Sequence, residues 1–156
     1  ITCHRTFGQL RKWGVWNAYN RKPITLKAGD ATATWAYASA TIRAANGSAN
    51  NKVTTFVGLP EELIQAERFQ SASLAASAEV RAGVCLNGTS SYDGFAGAQS
   101  NDSTAAVNGT TVGRFVFHTP RIGIDVFTLV ESANASGTTT MRGGEDDCLL
   151  TVTWNG

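Results

Sequence analysis

Along residues 74–86 every second position is apolar: Leu74, Ala76, Ala78, Val80, Ala82, Val84 and Leu86. Ser77, Glu79 and Arg81 take the alternate phase, the pattern of a strand with one face on a core and the other on solvent. A helix would scatter those charges around its axis. A second alternating run passes through Ile122, Ile124, Val126, Thr128 and Val130, with Asp125 and Glu131 on the opposite face. Shorter strands are predicted over residues 32–40, 53–57, 114–118 and 149–154, all rich in Val, Thr and aromatics.

The pairs Asn46-Gly47, Asn87-Gly88, Asp93-Gly94, Asn108-Gly109 and Gly143-Gly144 tolerate positive φ at little cost and punctuate these strands as turns. Leu59-Pro60-Glu61-Glu62 reads as a helix start, yet Leu63, Ile64, Ala66 and Phe69 fit either period, which leaves a strand and a short helix both open. Phe7, Leu10, Trp13, Val15 and Trp16 suit an amphipathic helix as well as an extended strand. One long loop is expected over residues 87–113, and loops beyond about 12–15 residues are frequently functional. With about six to nine short strands, a single open sheet would leave one apolar face and two edges bare. The expectation is therefore all-β: an antiparallel β-sandwich, jelly-roll-like. Residues 21–156 form one predicted sandwich domain, behind a leading basic and aromatic segment, residues 1–20, expected to dock on a preceding region or a neighbour.

The 156 residues suffice for one core and exclude two catalytic domains. Gly, Ser, Thr and Asn fill more than a third of the positions and charged residues only 16%, which describes a turn-rich, weakly charged surface. Ala is the commonest of the hydrophobic residues, so the large side chains must pack in thin layers. The formal charge of +1 hides an asymmetry. Arg5, Arg11, Lys12, Arg21, Lys22 and Lys27 all precede the first acid, Asp30. That polarity can steer two ends of an assembly together, and it equally fits a solvated basic face. It makes no case for nucleic acid. No apolar run approaches the roughly 18 residues of a membrane span, which predicts a soluble chain without membrane insertion. A start at Ile1 with no Met before Met141 is expected of a processed chain or a part of a longer one.

Cys3, Cys85 and Cys148 lie too far apart for a CxxC zinc site or a disulfide framework. Cys85 is expected to be buried, while Cys3 pairs with Cys148, pairs with a neighbouring chain, or stays free. His4 and His118 belong to no nucleophile–base motif and are expected to be structural or solvent-facing. Glu145-Asp146-Asp147 lacks the spread of a calcium loop and reads as a solvated acidic turn. Glu61, Glu62 and Glu67 would serve glycoside hydrolysis only by facing across a cleft. No catalytic residue, metal or cofactor is expected. Asn46, Asn87, Asn101, Asn108 and Asn134 each open an Asn-x-Ser/Thr triplet and mark surface loops. Trp13, Trp16, Trp35 and Trp154 offer faces for sugar rings, with core or interface packing the preferred reading.

Three stretches carry a family likeness: Trp16-Asn17-Ala18-Tyr19-Asn20-Arg21; Thr34-Trp35-Ala36-Tyr37 with Thr41-Ile42-Arg43-Ala44-Ala45-Asn46-Gly47; and Val57-Gly58-Leu59-Pro60-Glu61-Glu62. With the aromatic strand Phe115-Val116-Phe117 and Gly137-Thr138-Thr139-Thr140, the chain resembles, over residues 16–143, the C-terminal domains of fibre, spike and receptor-binding proteins of tailed bacteriophages. The resemblance implies a jelly-roll-like homotrimer on a virion appendage, tail or head fibre or spike. Such a module binds a cell-surface glycan or a neighbouring virion protein without catalysis. A carbohydrate-binding module of a secreted bacterial protein is the alternative, and a small glycan hydrolase a further one. The recognition surface is expected at Tyr92, Asp93, Phe95, Asn101 and Asp102, where aromatic rings beside Asp and Asn offer an apolar face with hydrogen-bond acceptors. The same loop could instead cap the sandwich with Tyr92 and Phe95 buried. Trp13, Trp16 and Tyr19 are the expected interface residues.

Overall fold

The computed structural model describes residues 2–5, 13–16, 19, 21–59, 63–99, 107–118, 122–134, 138–144 and 146–155. The strands among them are β1 (Thr2–Arg5), β2 (Trp13–Trp16), β3 (Pro23–Gly29), β4 (Thr34–Tyr37), β5 (Arg43–Ala44), β6 (Lys52–Val57), β7 (Leu63–Leu74), β8 (Glu79–Leu86), β9 (Gly94–Gln99), β10 (Val107–His118), β11 (Gly123–Ala133), β12 (Thr139–Arg142) and β13 (Cys148–Asn155). No α-helix occurs among the described residues, and a single 3-10 turn covers Ala45–Gly47.

All pairings are antiparallel. β7 and β10 pair along their whole lengths, and the other edge of β7 takes β13 and then β12. β3 flanks β13 and β4 flanks β12. In the facing sheet β9, β8 and β11 follow in order, and β6 and β5 share the far edge of β11. β3 is thus married to β13, β6 to β11, β7 to β10 and β8 to β9. A ribbon of four strand pairs wound around one core in that order is a jelly roll. β1 and β2 form a two-stranded sheet of their own.

The core lies between the two main sheets. Ile64, Ala66, Ala72 and Leu74 of β7 and Leu150, Val152 and Trp154 of β13 face Val80 and Val84 of β8 and Phe127 and Leu129 of β11. Phe117 meets Phe127 edge to face across the gap, with ring centroids 5.1 Å apart. The Phe115 ring fits because two neighbours lack side chains: a Cβ on Gly113 would come within 2.3 Å of it and one on Gly94 within 2.5 Å. Trp35 and Trp154 are core residues, as preferred from the sequence.

Several expectations need correcting. The alternating run over residues 74–86 is two strands: a turn at 75–78 divides it, closed by Ala78 N–H to Ala75 O at 3.1 Å, with Ser77 at φ 56°. In β11 the phase is reversed. Phe127 and Leu129 face the core together with Asp125 and Glu131, while Cys85 and Val130, on the other face, are buried as well. The long loop expected over 87–113 contains β9 and the start of β10. From Leu63 onward the open choice between strand and helix resolves as strand. Cys85 is buried as expected, and Cys148 is a buried free thiol in place of the bridge to Cys3 that the sequence left open.

β3 begins, β13 ends and β7 begins at one end of the sandwich, since Pro23 pairs with Asn155 and Leu63 with His118. β6 finishes and β11 begins at this same end, and the segment 87–93 joins β8 to β9 there. The turn 75–78 and the finish of β11 lie at the other.

Candidate functional site

The segment 87–93 is pinned against β8 and β11. Asn87, at φ 59°, donates through Nδ2 to Asp125 Oδ1 at 2.8 Å, and its Oδ1 accepts from Val126 N–H at 2.9 Å. Asp93 accepts from Leu86 N–H at 2.6 Å, and its own N–H donates to Val84 O. The Tyr92 hydroxyl donates to Arg81 O at 3.1 Å and lies 2.8 Å from Ser132 Oγ. Its ring covers Gly83, where a Cβ would come within 2.5 Å of Tyr92 Cδ1. Burial pushes the Tyr92 pKa up, against the opposing bond to Ser132.

Tyr92 is therefore half-buried and Asp93 exposed, at one end of β9. The side chain of Phe95, and Asn101 and Asp102 altogether, lie outside the described residues. Six residues of β9 span roughly 17 to 20 Å, which separates Tyr92 and Asp93 from Gln99. Of the expected interface residues, Tyr19 is fully exposed, while the side chains of Trp13 and Trp16 lie outside the described residues. Glu61 and Glu62 lie outside them too, and Glu67 accepts from Arg114 Nε at 2.6 Å. His118 is exposed. In the acidic turn Asp146 is exposed, while Asp147 accepts from Ser71 Oγ at 2.6 Å. The Asn46 and Asn134 amides are also spent internally, on Thr32 and Ser77 O, so the triplets at Asn46, Asn87 and Asn134 reflect turn construction.

Glu131 and Arg68 are two of several buried polar groups that the sequence did not anticipate. Glu131, 1% exposed, accepts from Trp35 Nε1 at 2.9 Å, Arg43 Nε at 2.9 Å and Asn46 N–H at 3.1 Å, and so ties β4, β5 and the 3-10 turn to β11. Burial raises its pKa in spite of these donors. Arg68 sits in the core phase of β7, donating to Thr111 Oγ1 at 2.7 Å and to Gln70 Oε1, with no partner for Nε among the described residues. Burial pulls its pKa down to about 10, so it stays cationic at neutral pH. A desolvated cation without a carboxylate in contact is costly. Replacing Arg68 with Met is expected to raise stability by about 1–3 kcal/mol in urea unfolding. A loss of that size would show that the guanidinium is required for the fold.

An open groove of about 500 Å³ lies beside β3, lined by Lys27, Gly29, Asp30, Ala31, Asp146 and Leu149. Its floor is stiff. Asp30 accepts from Asn51 Nδ2 at 2.7 Å, Thr32 N–H at 2.9 Å and Asn46 Nδ2 at 3.3 Å. Burial pushes its carboxyl up, but these donors together prevail and hold it below the ordinary range. Lys27 and Asp146 set opposite charges at the rim, over the backbone of Gly29 and Gly144.

Fold and surfaces together define the class as a jelly-roll β-sandwich. No family model matches the chain, and no curated protein sequence does. Solved structures do match, among them the structure of infectious bursal disease virus, Gx strain, at 12% identity and a TM-score of 0.44. That match covers 99% of this chain, which spans 42% of the other. The jelly-roll assignment rests on the strand order itself.

Proposed function

We propose that the chain is a structural and recognition module of a virion appendage, working as a homotrimer that binds a host-surface glycan or a neighbouring virion protein without catalysis. The observation that supports this reading best is the winding of the sheets, since jelly rolls serve both capsid and lectin domains. The link is one of fold analogy, joined to the sequence resemblance over residues 16–143. Recognition belongs to Tyr92, Asp93, Phe95, Asn101 and Asp102, or to the groove between Lys27 and Asp146.

Two double variants separate these surfaces: Asn101→Ala with Asp102→Ala, and Lys27→Ala with Asp146→Ala. At least one is expected to weaken adsorption to host cells or purified polysaccharide tenfold, with the melting temperature unchanged and a trimer by light scattering. Turnover of the polysaccharide, or sugar binding by a stable monomer, would overturn the reading in favour of a hydrolase or a carbohydrate-binding module respectively.

A further inference from the structure

Among the described residues every carboxylate but one is engaged. Glu67, Glu79 and Glu131 hold arginines, while Asp30, Asp93, Asp125 and Asp147 accept from amide or hydroxyl donors. Asp146 accepts from no described residue, and it lines the groove beside β3. Lys27, on the same groove, makes no hydrogen bond or ion pair with a described residue either, and so does not meet Asp146. A lone charge on an open surface is merely solvated. Two charges of opposite sign that line one groove without pairing with each other leave room for a ligand between them.

Their backbone spacing is fixed. Lys27 stands opposite Thr151, on the same face of the sheet as Gly29 and Leu149, which also line the groove. The turn that carries Asp146 is tied down on both sides. Gly144 N–H donates to Asp30 O at 2.6 Å and Cys148 N–H to Gly144 O at 3.0 Å. Ser71 donates to Asp147 twice, through N–H to the main-chain oxygen at 2.8 Å and through Oγ to the carboxylate at 2.6 Å. A site set on such rigid elements loses little to ordering when it binds. Asp30 adds a second negative charge to the lining, since its described partners are all neutral and hold its carboxyl below the ordinary range. The groove therefore suits an ammonium group beside the anion that Lys27 takes. Its volume, about 500 Å³, falls within the roughly 300–1,000 Å³ of small-ligand sites, and Ala28, Ala31 and Leu149 give it apolar surface for the body of the ligand.

We propose that this groove binds a zwitterionic saccharide, a sugar unit carrying an anionic group for Lys27 and an ammonium group for Asp146. The inference rests on the glycan reading above and names the ligand class for one of its two surfaces. Four probes titrated into the labelled full chain, followed by amide chemical shifts, test it. Muramic acid carries a carboxylate and an ammonium on one hexose, N-acetylmuramic acid lacks the ammonium, glucosamine lacks the carboxylate, and glucose lacks both. Muramic acid is expected to bind about fivefold more tightly than either singly charged sugar, the scale of a favourable exposed ion pair. Lys27→Ala should bring its affinity down to that of glucosamine, and Asp146→Ala down to that of N-acetylmuramic acid. Both variants remove side chains that hold nothing else among the described residues, so both should keep the wild-type melting temperature. Equal affinity for muramic acid and a singly charged sugar, a preference that survives both substitutions, or no binding of any probe at about 10 mM overturns the proposal. If the chain with Lys27→Ala and Asp146→Ala together has nonetheless lost adsorption to host cells, the groove remains the recognition surface and only the ligand class falls; if adsorption is unchanged, the groove falls with it.

Discussion

Glu131→Ala is expected to lower the free energy of unfolding by about 3–5 kcal/mol, the range for removing one partner of a buried ion pair. The loss exceeds one contact. Without the carboxylate, the Trp35 indole N–H is left without its acceptor inside the core, the Asn46 N–H loses its partner, and the Arg43 guanidinium faces an emptied site. Chemical denaturation followed by circular dichroism measures the effect, and a change below about 1 kcal/mol would show that these elements are held by packing alone. Glu131→Gln should cost less, because an amide oxygen still accepts from Trp35. The titration runs the other way. A folded pKa above the ordinary 4.5 means that the native state holds this proton more tightly. That increment of stability is present in acid and fades as pH rises from the ordinary value through the raised one.

Gly143→Ala is the second large effect, expected to cost about 3 kcal/mol. A Cβ there would stand 1.9 Å from Thr32 O and 2.8 Å from Asp30 O, backbone atoms that cannot rotate away. The approach is this close because Gly143 N–H donates to Ala33 O at 3.1 Å and Gly144 N–H to Asp30 O at 2.6 Å, stapling the turn after β12 to the link between β3 and β4. Gly144→Ala makes the comparison sharp. At φ +102° it is strained but meets nothing within 4 Å, so it should cost less, about 1 to 2 kcal/mol. Thermal melts of the pair decide whether the backbone clash dominates. Equal losses would mean that the turn yields freely.

What the sequence made legible was burial with a period of two: β8, β10 and β13 announce themselves through Val80 and Val84, Phe115 and Phe117, and Leu150 and Val152. β3 hid because Ile24 and Leu26 are two apolar residues at an edge, flanked by Lys22 and Lys27. β9, Gly-Phe-Ala-Gly-Ala-Gln, has almost no intrinsic strand preference. It is a strand because β8 pairs with it and Gly94 leaves room for Phe115. The turn at 75–78 carries no Gly, Pro or Asn, so alternation ran straight through it. β11 was misread for a different reason: from Phe127 onward both of its faces are buried, so polarity alone misassigns the phase. Arg68 and Gln70 did leave a trace, as polar residues on the apolar phase of β7, and Glu131 left none beyond its charge.

The pairing of β3 with β13 has a consequence for how the chain acquires its shape at synthesis. Residues 23–29 wait for residues 149–155, and β13 lies in the middle of its sheet, between β3 and β7. Until that last strand leaves the ribosome, β3 has no partner in the sheet and Leu150, Val152 and Trp154 are missing from the interior. Cooperative folding of the sandwich therefore waits for β13, slow in the manner of non-local β topologies, and a nascent chain in which β13 is still missing presents a half-built core to chaperones and proteases.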